Sequence, residues 1–357
     1  MPNERDHAVV IGIRDYGSLK PQLLGPEADA RAFAAWLRSA DGGDLPAGNV
    51  KEVFSSTFAS SNAKLATAFG YQPDFTSMRR PFFELMAATA DNSMRIPRVG
   101  RRLYIYLSGH GITPRVDPMT GTNQSGLLSA DCIENVNYDS VAGHAYAEWF
   151  RLSHAFDEIL LFMDCCRTDR PEVPPAPILT PIVAGGRPDD VRVFYAWATQ
   201  WDSRSWEQPL GAPPTTRAVF TFALIEALTS GPTDEQGRLT TKGIVGHLAV
   251  RVPALRQGAE AQTAKFFPPD PDGRLVVVSR VSSATSNVTI TFGSALIGKA
   301  VDLQNGAFRS VLPAPYLASA DPWKLTLDPG IYMLVVDGAE TPLVVKPNQA
   351  KEQHVDV

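Results

Sequence analysis

The residues of this chain best suited to chemistry are a histidine and a cysteine at the ends of two apolar runs. Leu103-Tyr104-Ile105-Tyr106-Leu107 leads into Ser108-Gly109-His110-Gly111, and Ile159-Leu160-Leu161-Phe162-Met163 leads into Asp164-Cys165-Cys166-Arg167, about fifty-five residues later. A thiol becomes an effective nucleophile when a neighbouring imidazole takes its proton, so Cys and His together can carry out acyl transfer. Each run is apolar, aromatic or β-branched and reads as a buried strand of a parallel sheet. In open α/β sheets, ligands bind beyond the carboxyl ends of the strands. A histidine and a cysteine in those positions can meet above one sheet.

The elements that must position them alternate over roughly the first 280 residues. His7 to Ile13, Val50 to Phe54 and Arg192 to Trp197 read as further strands. Pro26 to Ala40 reads as a helix, with Pro26 in its first turn, Glu27 and Asp29 near its start, and Phe33, Trp36, Leu37 and Ala40 on one apolar face. Arg80 to Ala90, Tyr146 to Phe156, Arg217 to Thr229 and Thr241 to Leu255 are also expected to be helical, with Arg274 to Ser279 as an edge or closing strand. This order predicts an α/β fold with a mostly parallel sheet flanked by helices. After about Ser282 the pattern becomes short strand-like runs with turn signals such as Asp328-Pro329-Gly330 and no helical period. The expected division is a domain over 1–280 and a small all-β, sandwich-like accessory domain over 281–357.

Composition narrows the function classes. The chain has 357 residues, 44% of them hydrophobic and 20% charged, and a formal net charge of -5. It has no sustained basic run of the kind that marks a nucleic-acid or membrane-surface binder. No apolar stretch approaches the ~20 residues of a spanning helix, and no signal-peptide core is evident. The three cysteines, Cys132, Cys165 and Cys166, make a poor disulfide framework. Together these features predict a chain in a reducing cytoplasm. The scattered histidines and the lack of a Cys-x-x-Cys pair argue against a zinc site, and no cofactor is expected.

In order along the chain, these segments resemble the caspase-like cysteine peptidases, the clan of caspases, metacaspases and bacterial relatives. His7-Ala8-Val9-Val10-Ile11-Gly12-Ile13 resembles the family's first strand, and Gly25-Pro26-Glu27-Ala28-Asp29-Ala30 the start of its first helix. Ser108-Gly109-His110-Gly111 is similar to its histidine box, Asp164-Cys165-Cys166 to the metacaspase-type Asp-x-Cys box, and Val219 to Leu228 to a helix of the bacterial members. The resemblance implies a cysteine endopeptidase with His110 as general base and Cys166 as nucleophile. The backbone N–H groups of Gly111 and Cys166 would form the oxyanion hole. Successive strand residues face opposite sides, so Cys165 is expected to point away. Bacterial relatives serve stress, cell-death or defence pathways.

The same resemblance bears on specificity and control. Caspases that cleave after Asp carry an arginine just before the first-helix box, where this chain has Leu23-Leu24. Metacaspases cleave after Arg or Lys, which makes Asp164 an S1 candidate, with Asp15 and Asp202 as candidates by location only. Asp164 as a loop-stabilising carboxylate is the alternative reading, and Asp at P1 is the alternative specificity. Some metacaspases need calcium, but Asp189-Asp190 is too small an acidic group to identify a site. Arg167 to Asp190 holds six prolines and cannot form a regular helix. It is therefore the expected processing segment, with Arg167, Arg170 and Arg187 as candidate positions. The expected partners are a protein or peptide substrate and a regulatory protein bound by the β-domain. A catalytically silent scaffold of the same fold is the competing function.

Overall fold

The computed structural model describes residues 3–87, 98–114, 125–170, 173, 187–211, 213–234, 236–256, 260–269, 271–278, 286–305, 310–327, 330–345 and 353–356. The chain divides into two compact units, Met1–Phe222 with Val252–Asp270, and Ala223–Arg251 with Pro271–Val357. Its elements begin with β1 (Asp6–Gly12), α1 (Pro26–Arg38), β2 (Val50–Phe54), α2 (Ser55–Asn62), α3 (Phe75–Ala87) and β3 (Arg102–Gly109). Next come β4 (Gly111–Pro114), β5 (Gly126–Leu128), β6 (Ser140–Ala142), α4 (Gly143–Leu152), β7 (Glu158–Cys165) and β8 (Thr168–Arg170). They are followed by β9 (Arg192–Trp197), β10 (Glu207–Leu210), β11 (Thr215–Ala218), α5 (Val219–Ser230), β12 (Leu239–Thr240), α6 (Thr241–Leu255), β13 (Lys265–Phe267) and β14 (Val276–Val278).

The central sheet has the order β13-β9-β7-β3-β1-β2. The pairs β1–β2, β1–β3, β3–β7 and β7–β9 are parallel, and only β13 runs antiparallel to its neighbour. The closing strand is therefore β13. The segment expected in that role, Arg274 to Ser279, supplies β14, which pairs with β12 in a separate two-stranded ladder. The sheet is covered on both faces, as its continuous apolar strands require. Alternation sends Tyr104, Tyr106 and Phe162 to one face. There Phe33 of α1 stacks on Tyr106 at 4.8 Å and meets Phe162 at 5.5 Å. The alternate residues Leu103, Ile105, Leu107, Ile159, Leu161 and Met163 share a core with Phe82 of α3 and Tyr146 and Phe150 of α4. Helix α3 starts at Phe75, earlier than the expected Arg80, because the Asp74 carboxylate accepts the Ser77 N–H at 2.8 Å and so caps the first turn. The expected end of that helix, Ala90, lies outside the described residues.

A second, small sheet of order β6-β5-β4-β8 follows the central strands. Its β4 begins right after His110, and its β8 begins two residues after Cys166. In β3–β7 the register sets Gly109 opposite Cys165, and in β4–β8 it sets Ile112 opposite Thr168. The offset is the same before and after the break, so His110 stands across from Cys166 at the gap between two ladders.

Within the second unit, β15 (Ser286–Thr291), β16 (Ala300–Asn305), β17 (Tyr316–Leu317), β18 (Trp323–Leu327), β19 (Gly330–Val336), β20 (Ala339–Val345) and β21 (Gln353–Asp356) form sheets of order β18-β15-β21 and β17-β16-β19-β20. Val288, Ile290 and Trp323 of the first and Val301, Leu303, Leu334 and Leu343 of the second share one core, the arrangement of a small sandwich. The β15–β21 pair is parallel, and the others in these sheets are antiparallel. Among the described residues no helix is long and apolar enough to cross a membrane.

Candidate active site

The tips of β3 and β7 open into a cleft of about 490 Å³, whose lining includes His110, Gly111, Asp164, Cys166, Ser205 and Glu207. The strand tips approach so closely that only glycine fits beside them. A Cβ on Gly111 would lie 2.5 Å from the Cys166 carbonyl oxygen and 2.7 Å from the Cys165 Cβ. Gly109, at φ +153°, is constrained on its other side, where a Cβ would come within 2.5 Å of the Tyr16 hydroxyl.

The adjacent cysteines have different surroundings. Cys165 closes β7 with its side chain in the core, whereas Cys166 is partly exposed and lines the cleft. Burial pushes both thiols up, Cys165 far more than Cys166. The Cys166 thiol donates to the Ser205 carbonyl at 3.8 Å, and Arg204 draws its pKa back down. Cys132 lies in the core and reaches the Asn137 carbonyl at 2.9 Å.

His110 is held at three points. Its backbone N–H donates to the Tyr16 hydroxyl at 2.8 Å, and its ring packs edge-on to the Tyr16 ring at 4.8 Å. Its Nε2 lies 2.9 Å from the Pro21 carbonyl oxygen. A carbonyl can only accept, so Nε2 carries the proton and Nδ1 is left as the basic nitrogen. Burial lowers the imidazole pKa below 6.5, while the Pro21 bond and the Glu207 charge act against that shift. The His110 ring is thus oriented, and the shift favours its neutral form.

The remaining residues singled out in the sequence fall in different places. Asp164 borders the cleft, but its carboxylate accepts from Ser205 Oγ at 2.7 Å, Thr221 N–H at 3.0 Å and Thr221 Oγ1 at 2.5 Å. Burial raises its pKa, those three bonds lower it, and Glu207 raises it further. Asp15 pairs with Arg14 at 3.3 Å, Asp202 accepts the Asp169 N–H at 3.3 Å, and neither borders the cleft. Arg167 is 1% exposed, its guanidinium 3.3 Å from the Trp201 ring centre and 5.0 Å from that of Trp197. Its Nε donates to Ser125, and its peptide is tied to Ser203, Asp202 and Thr113. Burial draws its pKa down to about 10. Processing after Arg167 would require this packing to open. Arg170 borders the cleft beside Glu134, and Arg187 is exposed. Of the rest of the expected processing segment, 171–172 and 174–186 lie outside the described residues. Among the described residues no group of three or more His, Cys, Asp or Glu is placed to hold a metal ion.

Tyr16, Pro21, Ser205 and Glu207 were not singled out from the sequence. Glu207 stands at the start of β10, where its carboxylate accepts the Gly25 N–H at 2.8 Å and the Leu24 N–H at 3.1 Å. Leu23, in the stretch where Asp-specific caspases carry an arginine, also borders the cleft.

Residues 5–263 match the family described as the caspase domain, peptidase family C14. A probable protease of a Desulfuromonadales bacterium is 29% identical over 160 residues, a match that covers 45% of this chain but only 18% of that protein. The crystal structure of caspase-1 from Spodoptera frugiperda is similar with a TM-score of 0.45 and 12% identity, over 78% of this chain and 91% of that one.

Proposed function

This chain belongs to the caspase-domain family of peptidases, and we propose that it is a cysteine endopeptidase with Cys166 as nucleophile and His110 as base, cleaving proteins after a basic P1 residue. The observation that carries this reading is the shared register of the two strand breaks, which sets His110 across from Cys166 in one cleft. As the Cys166 sulfur attacks the scissile carbonyl carbon, its proton passes to His110 Nδ1. The C=O π pair moves onto oxygen, and the Gly111 and Cys166 N–H groups receive it. Collapse breaks the C–N bond, and His110 returns the proton to the departing amine. The thioester is then hydrolysed by a water that gives its proton to the same nitrogen, which frees the acid product and the thiol. The dyad needs no cofactor for this chemistry.

The basic P1 preference is supported by Leu23-Leu24 where Asp-specific caspases have an arginine and by Glu207, an acid of a lining that also holds Lys20, Arg170 and Arg204. We propose that any self-processing falls in the segment from Arg167 to Asp190 or in the stretch Ile112 to Gly126 after His110; Arg187 is exposed, but Pro188 follows it and disfavours cleavage there. The all-β region over 281–357 is proposed to bind a regulatory partner. A fluorogenic panel with Arg, Lys or Asp at P1 tests the reading on the wild type, Cys166→Ala and Cys165→Ala. Hydrolysis should favour Arg or Lys, vanish in Cys166→Ala and persist in Cys165→Ala. Full activity in folded Cys166→Ala would refute the assignment, and no hydrolysis by the wild type would favour a silent scaffold.

A further inference from the structure

Among the described residues three carboxylates border the cleft, and their surroundings differ. Glu134 is 3.4 Å from Arg170 and so has a cation of its own. Asp164 is 4% exposed, with both oxygens engaged by Ser205 and Thr221. Glu207 is partly exposed, and among the described residues the donors to its carboxylate are the Leu24 and Gly25 backbone N–H groups just ahead of α1. Among the described residues no cation pairs with it. These bonds orient the carboxylate without neutralising it, leaving a fixed negative charge in the cleft beside Ala218, its partner across the β10–β11 ladder, and near Pro26, which follows Gly25; Leu23 belongs to the same lining. That lining suits the methylene stem of a lysine or arginine, with the carboxylate beyond it for the charged head.

We infer that Glu207 is the residue that selects the P1 side chain, pairing with a guanidinium or ammonium, while Asp164 is a positioning residue that holds Ser205 and Thr221 in place. The inference rests on the reading of this cleft as the peptidase site with Cys166 as nucleophile. A salt bridge at a partly desolvated site discriminates strongly between a cation and its neutral isostere, because the unmatched carboxylate is then left without a partner.

The test compares kcat/KM for two peptides that differ only in arginine or citrulline at P1, citrulline being close in shape and uncharged. Wild type should prefer arginine by at least ~100-fold. Glu207→Gln keeps an acceptor for Gly25 but loses the charge, so the ratio should fall at least ~10-fold while citrulline cleavage stays within ~3-fold. Glu207→Asp should retain the arginine preference, which separates the charge from a general loss of fold. Asp164→Asn should lower both rates together and leave the ratio. An unchanged ratio in Glu207→Gln, or a ratio lost in Asp164→Asn alone, overturns the assignment to Glu207 and leaves the peptidase reading standing. Absence of hydrolysis by the wild type on either peptide removes the peptidase reading and this inference with it.

Discussion

The Gly111→Ala substitution tests the packing of the two strand tips and the chemistry assigned to them at once. Its new methyl carbon would sit 2.5 Å from the Cys166 carbonyl oxygen, 2.7 Å from the Cys165 Cβ and 2.8 Å from the Cys165 Sγ, where ordinary contact begins at 3.4 Å. The worst contact is therefore about 0.9 Å too short, and it is with backbone, which cannot swing aside. Overpacking of this kind costs typically ~1–3 kcal/mol. A displacement approaching 1 Å at reacting groups costs about 10²-fold in rate. Gly111→Ala should thus unfold at lower urea concentration by an amount in that range and lose about 100-fold or more in kcat/KM. Adding Cys165→Ala removes the Sγ contact, so the double variant should recover part of the stability. It should recover little of the rate, because the clash with the Cys166 carbonyl remains. Equilibrium urea unfolding and steady-state kinetics on one peptide measure both. Wild-type kcat/KM in a folded Gly111→Ala would show that the strand tips do not constrain the reacting groups, and the argument from register would fall.

The pH dependence follows from opposite shifts. Burial lowers His110 below 6.5 and raises Cys166 above 9.0, so imidazole and thiol are both neutral at pH 7. Hydrolysis should fall as acid protonates His110 through a pKa below 6.5, and alkylation of Cys166 by iodoacetamide should keep accelerating above pH 9. A thiol that reacts at its full rate at pH 6 would contradict this. The buried Arg167 guanidinium meets the ring of the partly exposed Trp201 at 3.3 Å. A compact ammonium cannot reproduce that stacking or its bonds to Ser125 and Thr199. Arg167→Lys should therefore lose about 2 kcal/mol of stability in urea unfolding, and an unchanged midpoint would exclude a supporting role for the stack.

The central strands were legible because each is an unbroken apolar run, and the sheet that buries them on both faces demands such a run. Helices α1, α3 and α4 were legible from apolar residues at helical spacing, whereas α2, with its run of serines and small residues, was not; the candidacy of His110 and Cys166 was legible, since a polar, reactive side chain directly after a buried run must emerge at the end of the sheet. Much of the rest depended on long-range pairing. The four short strands of the second sheet carry too few residues to show a period of their own, and β13 closes the sheet with only three. Tyr16 and Pro21 reach His110 across 94 and 89 residues, and Glu207 meets Gly25 across 182. No local pattern records such contacts. Asp164 shows the division within a single residue. Its place beside the cysteines could be read from the chain. That its carboxylate is engaged by Ser205 and Thr221, while the donors to Glu207 among the described residues are backbone N–H groups, was decided by tertiary packing, because charge compensation belongs to neighbours in space and not to neighbours in sequence.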